Sequence, residues 1–61
     1  MTLADIAAIR KLRDNGGSFV QEDGDVWTFN GALGVFEAVS PLDLEPLIFT
    51  SRDLDDLVED L

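Results

Sequence analysis

Ser18-Phe19-Val20-Gln21-Glu22-Asp23-Gly24-Asp25-Val26-Trp27-Thr28-Phe29-Asn30-Gly31-Ala32-Leu33-Gly34-Val35-Phe36-Glu37-Ala38-Val39 is the stretch that decides the fold. Ser18 to Glu22 is a short β candidate. Val26 to Phe29 is rich in β-formers, and Leu33 to Val39 reads as a third strand. Asp23-Gly24 signals a tight turn, and Asn30-Gly31 signals a second hairpin of the type I′ kind. Three strands joined by two turns predict an antiparallel meander. A bare sheet of this size is marginal in water, so one face, carrying Trp27, Phe29, Leu33 and Val35, is expected to pack on a helix.

That helix is expected over residues 3–14. Thr2 and Asp5 have the spacing of a capping box, with Asp in the place of Glu. Leu3, Ile6, Ala7, Ile9 and Leu12 give the apolar face. Asp5 near the start and Arg10, Lys11 and Arg13 near the end suit the helix dipole, and Asn15-Gly16-Gly17 stops the helix.

Beyond the meander, Ser40-Pro41 ends the third strand. Pro41 and Pro46 bracket Leu42-Asp43-Leu44-Glu45, a loop or single helical turn. Leu47-Ile48-Phe49 is too apolar for a free loop and reads as a short fourth strand or a buried connector. Thr50 or Ser51 then caps a final helix with Asp53 in its first turn. In that helix Leu54, Leu57, Val58 and Leu61 fall on one side at helical period. Asp53, Asp55, Asp56, Glu59 and Asp60 crowd the other.

The expected class is therefore α+β, a single small domain over residues 1–61: helix, antiparallel sheet, acidic helix. A chain this short buries only about 60% of the surface it exposes when unfolded. It has no Cys for a disulfide and no Cys or His for a soft metal site, so stability must come from a compact core or self-association. A hydrophobic share of 46% is enough for that core and argues against disorder. The first residues are interrupted by Asp5 and Arg10 and do not form a secretory signal. No apolar run approaches the roughly 20 residues of a membrane span. The absence of Cys fits a cytoplasmic setting.

Net charge is −9, from thirteen acids and four bases. Residues 1–13 hold three bases and one acid, a balance of +2, whereas residues 14–61 hold twelve acids and one base, a balance of −11. Direct nucleic-acid binding is disfavoured, because it needs a larger basic patch than Arg10, Lys11 and Arg13 supply. Catalysis is disfavoured too. There is no His or Cys, Ser18, Ser40 and Ser51 lack an activating partner, and Lys11 lies in a basic cluster at a helix end. The glycines fit turns and make no phosphate loop. Glu22, Asp23 and Asp25 could attract a hard cation such as calcium, but the stretch runs straight into a strand and lacks the ligand positions of an EF-hand, so a solvated hairpin tip is expected. No cofactor is implied. Trp27 and Phe36 could anchor an interface, but five aromatics in so short a chain are needed for the core.

What remains is the carboxylates. Helical residues three or four apart lie about 5–6 Å from one another, and duplex DNA carries one charge per roughly 1.7 Å of axis. A rigid carboxylate array can therefore imitate a phosphate backbone and be gripped by the Arg and Lys of a nucleic-acid-binding channel. The size, the helix–meander–helix order and the acidic run from Asp53 to Asp60 resemble the small acidic inhibitors encoded by bacteriophages, in particular anti-CRISPR proteins of the DNA-mimic type. The resemblance implies an inhibitor, present in a bacterial cytoplasm, that occupies the basic DNA-binding surface of a type I CRISPR effector such as Cascade. It carries over no catalytic residue. The candidate contact residues are Asp53, Asp55, Asp56, Glu59 and Asp60, with Glu22, Asp23 and Asp25 as a second patch, on a monomer or weak homodimer. The rival expectation is a structural or adaptor module that binds a protein through apolar residues such as Leu44, Leu47, Ile48 or Phe49.

Overall fold

The structure is a computed structural model describing all 61 residues. Its elements run α1 (Leu3–Asn15), β1 (Ser18–Val20), β2 (Val26–Asn30), β3 (Val35–Val39), β4 (Leu47–Phe49) and α2 (Ser51–Glu59). The strands form one antiparallel sheet in the order β1-β2-β3-β4, so the fold is α+β. Leu47–Phe49, open between strand and connector on sequence grounds, is a strand paired with β3 through Phe36↔Phe49, Glu37↔Ile48 and Ala38↔Leu47.

Both helices begin in the same way. The Thr2 hydroxyl accepts from the Asp5 amide at 3.2 Å, and the Asp5 carboxylate accepts from the Thr2 amide at 3.0 Å. Thr50 and Asp53 repeat this reciprocal pair at 3.1 and 2.8 Å. Each box satisfies two of the amides that a helix start leaves without partners. α1 ends where the Gly16 amide donates to the Leu12 carbonyl at 2.9 Å.

Both helices pack on one face of the sheet. Ile9 and Leu12 of α1 and Leu54 of α2 meet Trp27, Phe36 and Ala38 in a single buried cluster, with Phe19, Phe29, Phe49 and Leu57 at its margin. Ile6 is buried beside it on α1. The rings of Trp27 and Phe49 lie 4.8 Å apart, and those of Phe29 and Phe36 meet edge to face at 4.9 Å. The Trp27 indole N–H donates to Gln21 Oε1 at 2.8 Å, which leaves no orphaned polar atom in the core.

Four sequence expectations are corrected. The second hairpin is not a two-residue type I′ turn, because Asn30 pairs with Val35 and four residues lie between them. The Asn30 side chain accepts from the amides of Ala32 and Leu33, and the residue with positive φ is Gly34 (69°), not Asn30 or Gly31. Leu33 consequently sits in the loop, 70% exposed, outside the third strand. An even-numbered loop sets odd positions of β2 opposite even positions of β3, so Trp27 and Phe29 share their face with Ala38 and Phe36, and Val35 points the other way. β1 stops at Val20, with Gln21 and Glu22 absorbed into the turn that the Gly24 amide closes onto the Gln21 carbonyl.

The helix faces are narrower than the periodicity suggests. Leu3 and Ala7 are exposed on α1. α2 ends at Glu59 with Asp60 as its cap, so Leu61 lies beyond it, exposed. No helix is long and apolar enough to cross a membrane.

The other sheet face has no helix on it. Register and strand alternation put Val20, Val26 and Val39 in one row across it, and Thr28, Glu37 and Ile48 in the next.

Candidate functional site

The carboxylates of α2 fall into two groups once their contacts are known. Asp53 is half-buried and committed to the Thr50 cap. Asp55 is exposed but paired: its Oδ1 accepts from Arg10 Nη2 at 2.6 Å, which ties α2 to the middle of α1. Asp56, Glu59 and Asp60 are exposed and make no ion pair. They are the free anionic surface of this helix. Asp56 and Asp60 are one turn apart, and about 6 Å of helix axis separates them at 1.5 Å per residue. Three charges over that length compare with the roughly three to four that duplex DNA carries over the same distance.

This helix end is an unfavourable place for negative charge. The C-terminal carbonyls of a helix already carry a partial negative charge, and no base stands in the last turn of α2. Asp55 and Glu59, and Asp56 and Asp60, are like-charged pairs at i, i+4, which repel.

The second acidic patch lies elsewhere. Glu22 and Asp23 are exposed on the β1–β2 turn, and Asp25 is half-buried. Asp23 Oδ1 accepts from the Asp25 amide at 2.9 Å, and the Asp25 carbonyl accepts from the Gln21 amide. This turn neighbours the start of α1, where Met1, Thr2, Asp5, Gln21, Glu22 and Asp23 line a shallow polar cavity of about 320 Å³. α2 instead packs against β4, at the opposite edge of the sheet from β1. Three strand spacings, roughly 14 Å, separate those edges. The two patches therefore form separate surfaces. No three carboxylates converge closely enough to hold a metal ion.

Comparison with protein-family models, curated proteins and solved structures finds no match to this chain. Its surfaces therefore have to be read from their own chemistry.

Sequence reasoning missed two features of these surfaces. The first is the Arg10–Asp55 pair, which removes one acid from the free array and one base from the α1 cluster. Its members are 45 residues apart, and no local pattern announces such a pair. The second is the display of Leu42, 96% exposed, beside Leu44 and Leu47, which the adaptor expectation had named and which are 81% and 63% exposed. Pro41 and Pro46 were a signal for it, since prolines at both ends hold such a segment off the helical path.

Proposed function

We propose that this protein is an inhibitor that blocks a nucleic-acid-binding protein complex by presenting an anionic, DNA-like surface. The observation that supports this reading most directly is the free carboxylate array Asp56, Glu59 and Asp60, kept at the helix end where it opposes the helix's own stability. Acids serving only solubility would be equally effective at sites where they cost nothing. Asp53 and Asp55 border this array, and Glu22, Asp23 and Asp25 supply a second contact for a partner large enough to reach both. The proposed target is a type I CRISPR effector of the Cascade kind, whose basic channel must hold duplex DNA. The protein acts by occupancy in a bacterial cytoplasm. No chemistry and no cofactor are assigned to it.

The deciding experiment is a competition assay. Purified effector complex is first incubated with increasing amounts of the protein, and labelled duplex DNA is then added. The expected result is exclusion of DNA, and direct binding of the protein to the effector, measured without DNA, that weakens as salt rises from about 50 to 200 mM. The variant Asp56→Lys/Glu59→Lys, with an unchanged circular dichroism spectrum, should be weaker by on the order of tenfold or more. Failure to exclude DNA, or equal inhibition by the variant, would remove the reading. The rival adaptor reading has its own observation, the exposed leucines Leu42, Leu44 and Leu47, and it predicts binding that weakens less with salt than a purely anionic contact would.

A further inference from the structure

The segment Ser40–Leu47 holds the two most exposed apolar side chains in the molecule, Leu42 and Leu44, and ends on Leu47, which is 63% exposed. Three hydrogen bonds fix the loop. Ser40 Oγ accepts from the Leu42 amide at 3.2 Å, the Ser40 carbonyl accepts from the Asp43 amide at 3.3 Å, and Asp43 Oδ1 accepts from the Glu45 amide at 3.1 Å. Pro41 and Pro46 restrict its backbone at both ends. Pro41 also rests against the β1–β2 turn, so closely that a Cβ on Gly24 would come within 3.2 Å of the proline ring. The leucines are thus held out on a braced segment, and little ordering entropy would be lost when a partner covers them.

The chain as a whole exposes slightly more surface than its mass leads one to expect. A monomer of 6.7 kDa is expected to expose about 3,900 Å². This chain exposes 4248 Å².

Charge selects the occupant. Leu42 and Leu44 alternate with Asp43 and Glu45, and no base lies between Arg13 and Arg52. In a two-fold dimer through this loop, each acidic loop would face its own copy, on chains that each carry −9. An anionic lipid surface is repelled in the same way. A surface with an apolar stripe flanked by Lys and Arg satisfies both features at once.

We infer that the Leu42–Leu47 segment is a docking element for a cationic amphipathic surface of another protein, with Leu42 and Leu44 as its anchors. It is a separate surface from the α2 carboxylates, and it stands or falls independently of the inhibitor reading.

The test uses defined probes. One synthetic helical peptide of about 18 residues carries a leucine stripe and a lysine polar face, and a second has the same composition with the stripe scrambled. The wild-type protein is expected to bind the striped peptide more tightly than the scrambled one. Leu42→Ser/Leu44→Ser is expected to lose roughly tenfold or more of that affinity. Asp56→Lys/Glu59→Lys is expected to keep the preference for the striped peptide. Equal binding of both peptides, equal binding by the leucine variant, or no binding would overturn the inference. So would sedimentation of the protein alone as a dimer that the leucine variant dissociates. If the double variant fails to melt cooperatively, Leu42→Ser alone, at a side chain with almost no contacts to lose, carries the comparison.

Discussion

The two helices share a start and differ at the end. Both open with a Thr–Asp capping box of nearly the same geometry. α1 then places Arg13 in its last turn and closes on Gly16, an arrangement that favours its own dipole. α2 runs the other way, with Glu59 and Asp60 at its C-terminal end and no base among its last residues. α1 has thirteen residues and buries Ile6, Ile9 and Leu12, while α2 has nine and buries only Leu54 fully. The charges of α1 are explained by the helix they stand on. Those at the end of α2 are not, and they are the part of the sequence that a partner would have to explain.

The sharpest way to break this contrast is to remove the anchor of α2. Leu54 is fully buried among Ile9, Trp27 and Phe36. Leu54→Ala leaves a cavity and is expected to cost about 2–5 kcal/mol. A domain of this size has a total stability of roughly 3–9 kcal/mol at 0.05–0.15 kcal/mol per residue. Urea denaturation should therefore find a large share of the stability gone, with the midpoint moved well below that of the wild type. A loss below about 1 kcal/mol would mean that α2 is not docked by this residue.

How much of this was legible beforehand depends on the range of each interaction. The element order, the α1 cap and the aromatic core of Trp27 and Phe36 follow from local patterns, and the structure has them. Asn30-Gly31 suggested the wrong turn, but the faces of β3 were misread for another reason. A two-residue and a four-residue loop give the same parity, and either sets Trp27 and Phe29 opposite even positions of β3, so Val35 could not share their face. Asn30 instead turns its side chain back onto the amides of Ala32 and Leu33, and Gly34 supplies the positive φ. Among the candidate site residues, Asp56, Glu59 and Asp60 stand free as the helical pattern suggested. Asp55 does not, because Arg10 reaches it from another helix. A pair of that kind depends on how the helices dock, which no window of the sequence contains.

The caps allow a finer comparison. Thr50→Ala and Thr2→Ala each remove one box and should each cost about 1 kcal/mol, or roughly 4–8 °C in melting temperature. Their local effects should differ. A nine-residue helix is far below the length that holds in isolation, so amide exchange in Thr50→Ala should accelerate throughout α2. In Thr2→Ala it should accelerate only in the first turn of α1. Uniform acceleration in both variants would mean that the two helices unfold only together with the sheet.

Arg10→Ala probes the one ion pair between the helices. Its partners are 40% and 63% exposed, so the expected loss is only about 0.2–1 kcal/mol, shrinking as salt is added. The same change frees Asp55 and adds a carboxylate to the α2 array. Competition against duplex DNA on the effector should then be unchanged or stronger, and weaker inhibition would mean that Arg10 itself touches the partner.

The one change expected to raise stability carries the most information. Glu59→Lys/Asp60→Lys gives α2 the basic end that α1 already has. It removes two like-charged i, i+4 pairs and complements the dipole, so each substitution should stabilise by about 0.3–1 kcal/mol. Thermal melts at low salt would register this as a modest rise. If the end of α2 is the anionic surface proposed for the inhibitor, the same variant should lose most of its inhibition in the competition assay, because its charges there are reversed. A protein that gains stability while losing its partner has been carrying those acids for the partner. A variant that gains stability and inhibits fully would take the end of α2 out of the interface and leave the β1–β2 turn as the acidic surface to test. A variant that loses stability would mean that Glu59 and Asp60 serve the helix after all, and the contrast between α1 and α2 would no longer point to function.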